Sequence, residues 1–271
     1  MSRIQSVFAT LKQQNKTALI PYITAGDPHP KHTVNLMHTL VKHGADMIEL
    51  GVPFSDPMAD GPIIQRASER ALAHKVGLTA VLEMVKEFRK TNQATPIILM
   101  GYANPIEAIG ATAFADRAKA ADVDGVITVD YPPEECGEFV QALRQRNIDP
   151  VFLLSPTTEP KRVELIVNQA SGFVYYVSLK GVTGAANLDI VEVSARVASI
   201  REQTNLPVGV GFGIRDAATA KATAAIADAV VVGSRMVQVI ETSKEEELFD
   251  NVASLMIELK SAVDAARLIE V

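Results

Sequence analysis

The feature that most constrains the fold is a recurrence. Short apolar, often β-branched runs return along the chain near Ala18–Thr24, Met47–Gly51, Ile97–Gly101, Gly125–Val129, Pro150–Leu154, Phe173–Ser178, Val208–Phe212 and Ala229–Val232. Each run is continuous rather than alternating, as expected of strands covered on both faces. Between them lie segments with a helical period, such as Val34, Met37, His38 and Val41, or Val163, Ile166, Val167 and Ala170. Strand then helix, repeated eight times, is the pattern of an α/β chain closed into a (β/α)8 barrel of the TIM type. An open doubly wound sheet is the rival, but no Gly-x-Gly-x-x-Gly follows the first run.

Length agrees with this reading. The chain has 271 residues, and barrels of roughly 250 residues fold as one unit, so residues 1–271 are expected to form a single domain. The net charge is −6 and basic runs are absent, which argues against nucleic acid or an anionic membrane as the main partner. The single cysteine, Cys136, allows no internal disulfide, and a reducing, cytoplasmic compartment is the simpler expectation. At the N-terminus, Ile4, Val7, Phe8 and Leu11 fall at helical spacing, with Lys12 and Lys16 interrupting any apolar run, so a helix rather than a signal peptide is expected. No stretch approaches the roughly 18 apolar residues of a membrane span. The histidines His29 and His32 could share a helix face and are expected to be solvated there, not metal ligands.

The repeats are uneven in two places. Between Met47 and Ile97 lies Val52–Asp60, rich in Pro and Asp, followed by two helices, Pro62–His74 and Thr79–Thr91. Between Phe173 and Val208 lies the glycine-rich stretch from Lys180 to Asn187. Long loops in a compact domain are usually lids or binding loops, and after strands 2 and 6 they would lie on the catalytic face. A short helix, Met236–Ile240, is expected after strand 8, and a closing helix over Glu245–Leu268.

Glu49 is the sharpest chemical signal. It is a carboxylate inside the apolar strand Met47–Gly51, where Met47 and Glu49 point to one side and Ile48 and Leu50 to the other. If that side is the barrel interior, burial raises the carboxyl pKa and suits a general acid/base. Asp56 and Asp60 lie in the loop that follows. On spacing alone turn and cap chemistry is the better reading for both, with Asp60 ahead of Gly61 and Pro62 a plausible helix N-cap. Gly211, Phe212 and Gly213 after strand 7, and Gly233 and Ser234 after strand 8, stand where barrels bind phosphate on backbone amides. Gly181 and Gly184 offer a further amide contact. Tyr22, Met100, Tyr102, Ile127, Leu153 and Tyr175 lie on strands or at their ends and could form an apolar pocket, although ordinary core accounts for most of them. The two tyrosines Tyr102 and Tyr175 are the better pocket candidates, because a buried phenol needs a hydrogen-bond partner. Asp130 reads first as a structural hydrogen-bond acceptor. No metal cluster, P-loop or Ser/His/Asp constellation is visible.

Several of these segments occur in one familiar order: Pro21–Asp27, Glu49–Pro62, Met100–Pro105, Gly181–Gly184 and Gly211–Ile214. Together they resemble the tryptophan synthase α-subunit family, from about Pro21 to Ser234, and the Glu49–Pro62 block is highly specific. The resemblance implies a (β/α)8 barrel that cleaves indole-3-glycerol phosphate to indole and glyceraldehyde 3-phosphate. It implies Glu49 as general acid/base and Asp60 as acceptor of the indole N–H. It further implies Tyr175 near substrate, Thr183 on a lid, and Gly184, Gly213, Gly233 and Ser234 around the phosphate. No cofactor is implied in this chain. PLP belongs to a β subunit that receives indole through a tunnel in an αββα complex, with Pro53, Asp56 and Pro57 at the interface. Tyr22, Leu179 and Arg235 depart from the family pattern, where phenylalanine, arginine and a small residue are usual. A phosphosugar isomerase or aldolase on the same barrel, and a non-catalytic regulatory subunit, are the other readings; a strand lysine for a Schiff base is missing from the expected strands.

Overall fold

The computed structural model describes residues 1–178, 189–211 and 213–266. Eight parallel strands close into a barrel in sequence order: β1 Ala18–Thr24, β2 Ile48–Gly51, β3 Ile97–Gly101, β4 Gly125–Thr128, β5 Asp149–Leu154, β6 Val174–Val177, β7 Val208–Gly211 and β8 Ala229–Val232. The helices are α1 Arg3–Gln13, α2 Pro30–Lys42, α3 Pro62–Ala73, α4 Leu78–Arg89, α5 Ala103–Glu107 and α6 Ala111–Ala120. They continue with α7 Gly137–Gln145, α8 Pro160–Gln169, α9 Ile190–Arg201, α10 Ala217–Ala224, α11 Ser234–Thr242 and α12 Leu248–Asp264. The expected α/β barrel is therefore observed, and the open sheet is excluded by the pairing of β1 with β8.

The two faces of each strand separate the core into layers. Met47 packs inside the barrel with Ile20, Ile98, Ile127, Val151 and Val231. Ile48 and Leu50 pack outside, under α2 and α4, with Leu36, Leu40 and Phe88. Side chains alternate along a strand, so Glu49 shares the inward face with Met47. Its register partners are Tyr22 on β1 and Ile98 on β3.

One end of the barrel is stoppered. Helix α1 drops Ile4, Phe8 and Leu11 into the inner layer, and the Phe8 ring lies 5.7 Å from that of Phe173. Ser2 caps the helix reciprocally with Gln5. Arg3 holds Asp124 at 2.8 Å, and Arg89 holds the same carboxylate at 2.5 Å. The open end is the other one, where the strands finish.

Two histidines differ from expectation. His29 is the N-cap of α2, its ring Nδ1 accepting from Lys31 N at 3.2 Å, and its ring lies against that of His74, tilted, with centroids 4.4 Å apart. His32 is buried against Phe249, with Nε2 3.3 Å from Glu245. Neither sits on a solvated helix face, because the elements that cover them come from distant parts of the chain. The closing helix is also split: a short turn over Glu245–Glu247 precedes α12. Among the described residues no helix is long and apolar enough to cross a membrane.

Candidate active site

Glu49 lies near the end of β2, 1% exposed, inside the mouth of the barrel. Its Oε2 is buried, with no hydrogen-bond partner among the described residues. An ionised carboxylate in that setting loses its hydration and gains little in return. Burial, and then the charge of nearby Asp60, push its pKa up to about 8. The acid is flanked by two buried phenols, Tyr22 and Tyr175, which burial holds well above the ordinary tyrosine range. Tyr22 shares a hydrogen bond of 3.1 Å with Thr24 Oγ1.

Both phenols occupy space that a neighbouring strand leaves vacant. A Cβ on Gly51 would stand 2.1 Å from the Tyr22 hydroxyl, and one on Gly211 would stand 2.0 Å from the Tyr175 hydroxyl. Gly211 was expected among the substrate-contacting glycines. It is instead a fully buried strand residue that makes room for Tyr175, and it does not line the cavity.

Asp60 comes from the loop between β2 and α3. Val52 N donates to Met100 O at 2.8 Å, anchoring the start of the loop to β3. The N-cap of α3 is Gly61, with no side-chain cap and Pro62 following. The cap reading of Asp60 is therefore overturned. Its Oδ2 accepts from the Tyr102 hydroxyl at 3.0 Å, while that hydroxyl accepts from Ala59 N at 3.1 Å. The Gln65 amide holds the Asp60 carbonyl at 2.8 Å. Carbonyl and carboxylate are thus pinned separately, and the second carboxyl oxygen is left for the cavity. Burial raises the Asp60 pKa, and the Tyr102 hydrogen bond opposes that rise. Phe54 stacks on Tyr102 with centroids 5.0 Å apart. Beyond this pair the loop turns outward: Pro53 is buried, Pro57 half-buried, Asp56 exposed and Met58 83% exposed.

A cavity of about 550 Å³ joins these groups to a second pole. Tyr22, Glu49, Asp60, Met100 and Tyr175 line one end; Gly213, Gly233, Ser234 and Arg235 line the other. Gly213 has φ +79°, a left-handed conformation that favours glycine. The start of α11 at Gly233 and Ser234 has no side-chain cap, so its first N–H groups are available to an anion. A neighbouring cavity of about 530 Å³ shares Asp60, Met100 and Tyr175 and extends past Leu153, Phe152 and Val129.

Most of the expected residues therefore meet here, with differences. Leu153 belongs to the neighbouring cavity. Ile127 is fully buried in the inner layer and lines neither cavity. Tyr102 reaches the site only through Asp60 and the loop. Asp130 accepts from Ala103 N at 2.8 Å, the structural role expected of it. Phe212, Thr183 and Gly184, with Leu179, Lys180 and Gly181, lie outside the described residues. Ile64, Arg215 and Gln238 also line the cavity and carry no local sequence signal of doing so. Among the described residues no group of three His, Cys, Asp or Glu side chains is placed to hold a metal.

A barrel whose mouth brings a buried strand carboxyl and a loop carboxyl into one cavity, opposite a helix start free to receive an anion, defines a class: an enzyme of the TIM fold with its site at the strand ends. Comparison with known proteins narrows the class. The family model described as tryptophan synthase alpha chain matches residues 8–264. The tryptophan synthase alpha chain of Chromobacterium violaceum is 64% identical over 263 residues, covering 97% of this chain and 100% of the relative. That of Cupriavidus pinatubonensis is 60% identical over 265 residues, covering 98% and 100%. The crystal structure of the alpha subunit from Legionella pneumophila superposes with a TM-score of 0.91 at 44% identity, covering 97% of this chain and 99% of that one. The chain belongs to the tryptophan synthase alpha chain family. Its activity is the lyase half-reaction, cleavage of indole-3-glycerol phosphate to indole and glyceraldehyde 3-phosphate. It has no cofactor of its own, and its partner is the β subunit, which holds PLP.

Proposed function

We propose that Glu49 and Asp60 carry the cleavage, with the phosphate bound at the start of α11. The observation that carries this assignment is the buried Glu49 carboxyl, whose Oε2 has no hydrogen-bond partner among the described residues, in one cavity with Asp60. Burial that pushes its pKa up to about 8 supports a proton held at neutral pH. A carboxylic acid that keeps its proton can give it to carbon. Glu49 protonates indole C3, and the ring nitrogen takes the positive charge. Asp60 accepts the indole N–H and stabilises that cation across a short distance in a low-dielectric site. The Glu49 carboxylate then takes the proton from the glycerol hydroxyl next to C3. The C–C bond breaks, its electrons return to the ring, and indole and glyceraldehyde 3-phosphate separate. The proton returns to Glu49, so no co-reactant is consumed. Tyr22, Met100 and Tyr175 form the walls about the ring. Gly213, Gly233 and Ser234 supply the phosphate end, whose remote binding energy holds the reacting bond in place.

Thr183 and Gly184 are assigned by the family resemblance to a closing lid and a phosphate contact. Indole leaves through the neighbouring cavity toward the β subunit, in an αββα complex, with Pro53, Asp56 and Pro57 on the contact. The highly exposed Met58 on the same loop supports an interface there. We also read residues 1–271 as one domain and the cytoplasm as its compartment, in keeping with a lone buried thiol at Cys136.

Indole release from indole-3-glycerol phosphate by the purified chain tests the assignment, with and without a β subunit. Release should be slow alone, accelerated by β, and lost in Glu49→Gln by at least the roughly 10²–10⁴-fold that general acid/base catalysis contributes. Unchanged release by Glu49→Gln would overturn the role of Glu49. Fast release with no response to β would keep the chemistry and reject the coupling.

A further inference from the structure

Two helices start at the rim of the cavity and run away from it side by side. Helix α3 starts directly behind Asp60, and α11 starts at the proposed phosphate end. Near the rim they touch through apolar groups: Ile64 and Ala67 of α3, Val237 of α11 and Tyr22 of β1 form one small buried cluster. Farther from the cavity the contact becomes ionic. Arg66 donates through Nε and Nη2 to both oxygens of Glu241, at 2.7 and 2.8 Å. Arg70 donates through Nη1 to the same Glu241, at 2.8 Å. The other edge of Arg70 donates through Nε and Nη2 to both oxygens of Asp27, at 2.6 and 3.0 Å. Asp27 is 1% exposed and stands just beyond the end of β1.

This network is costly as a simple fastener. Burying the charges of Asp27 and Arg70 carries a desolvation penalty, and a well-packed apolar contact would stabilise the fold at least as well. What forked guanidinium–carboxylate pairs add is geometry, because two parallel hydrogen bonds fix both distance and angle. Three elements are fixed here, β1, α3 and α11. β1 carries Tyr22, α3 follows directly on the loop that bears Asp60, and α11 begins at the proposed phosphate end, three sides of one cavity.

We infer that Asp27, Arg70, Glu241 and Arg66 form a positioning device for the active site. It sets the spacing between Asp60 and the start of α11, and so the length of substrate that touches both at once. These residues contact no substrate; they act through the two helices. The inference rests on the proposed roles of Asp60 and of the α11 start.

The test compares ligands that need the spacing with ligands that do not. Indole-3-propanol phosphate has both ends and no hydroxyl to lose; indole and glycerol 3-phosphate each have one. Affinities are measured by calorimetry on the full chain for wild type, Glu241→Gln and Arg70→Lys. Both variants should lose roughly tenfold or more in affinity, about 1.4 kcal/mol, for the two-ended ligand, while each one-ended ligand changes less than about twofold. In the presence of the β subunit, kcat/KM for indole-3-glycerol phosphate should fall with the two-ended affinity. Arg70→Lys keeps the charge and loses the fork, so full retention of affinity by it would overturn the geometric role. Equal losses for all three ligands, or none, would leave the network a stabiliser only. Arg66→Gln, at a half-exposed partner, supplies a milder version of the same comparison if the other variants unfold. Failure of wild type to bind glycerol 3-phosphate at all would instead overturn the phosphate assignment beneath the inference.

Discussion

Glu49 differs from an ordinary strand residue by one carboxyl group, and the cost of that group depends on pH. Unfolded, it titrates near the usual 4.5; folded, burial moves it to about 8. Between those values the unfolded chain has lost the proton and the native chain has kept it. Stability therefore falls as pH rises through that window, since the native state binds more protons than the unfolded state. Glu49→Gln removes the titration and keeps the shape. We expect its stability relative to wild type to grow steadily from pH 5 to pH 8. Urea unfolding at several pH values checks this; a constant difference across the range would mean that Glu49 is not held neutral. If Glu49 is the acid we propose, the same titration should set the alkaline limb of activity, because an ionised Glu49 cannot protonate carbon. On the same proposal the acid limb should belong to Asp60, which must be ionised to hold the indolenine cation and whose pKa burial raises. Tyr102, read from the sequence as a pocket residue, instead holds Asp60 and its loop in place. Its hydroxyl meets the carboxylate across the gap between the loops that follow β2 and β3, and no local pattern encodes that meeting.

At the scale of elements, the strand ends are matched in pairs. A large inward side chain on one strand is received by a glycine on the next, Tyr22 by Gly51 and Tyr175 by Gly211. Gly211→Ala places a methyl group where the Tyr175 ring edge now lies. Overpacking of this kind costs about 1–3 kcal/mol, and displacing Tyr175 into the cavity should also weaken binding of indole-3-propanol phosphate. Combining Gly211→Ala with Tyr175→Leu should recover much of the stability without recovering binding, a non-additivity that denaturant unfolding of the single and double variants measures. Additive losses would show that the two residues do not compete for space. The glycines are visible in the sequence, but their reason is not. Turn or phosphate-loop chemistry was the natural reading of Gly211, whereas the register of β7 against β6 makes it a receptor for a phenol.

The whole molecule is a barrel stoppered at one end by α1 and open at the other, where loops after β2, β3, β7 and β8 converge. Its outward surface near the site carries Met58 at 83% exposure, on the loop that also bears Asp60. We place the β-subunit contact on this loop, and Met58 is its most exposed large apolar side chain. Met58→Asp should leave the stability of the isolated chain within about 0.5 kcal/mol, as surface changes usually do, and should weaken association with β in a titration of the two proteins. Unaltered association would move the interface away from this loop.

The amino-acid order alone determined the class of fold, the number of strand–helix units and the face that Glu49 shares with Met47. Each of these follows from a local period, 2 for a strand and 3.6 for a helix, and from apolar continuity, which short stretches of chain carry within themselves. Only the tertiary structure decided that the face of Glu49 is the inward one, that Asp60 is held by Tyr102 instead of capping a helix, and that His32 is buried. It alone decided that Gly51 and Gly211 are vacancies for phenols, and that Asp27, Arg70 and Glu241 lock two helices. These facts join residues separated by tens to hundreds of positions. Barrel closure brings them within bonding distance, and no local period can report a distance that closure sets.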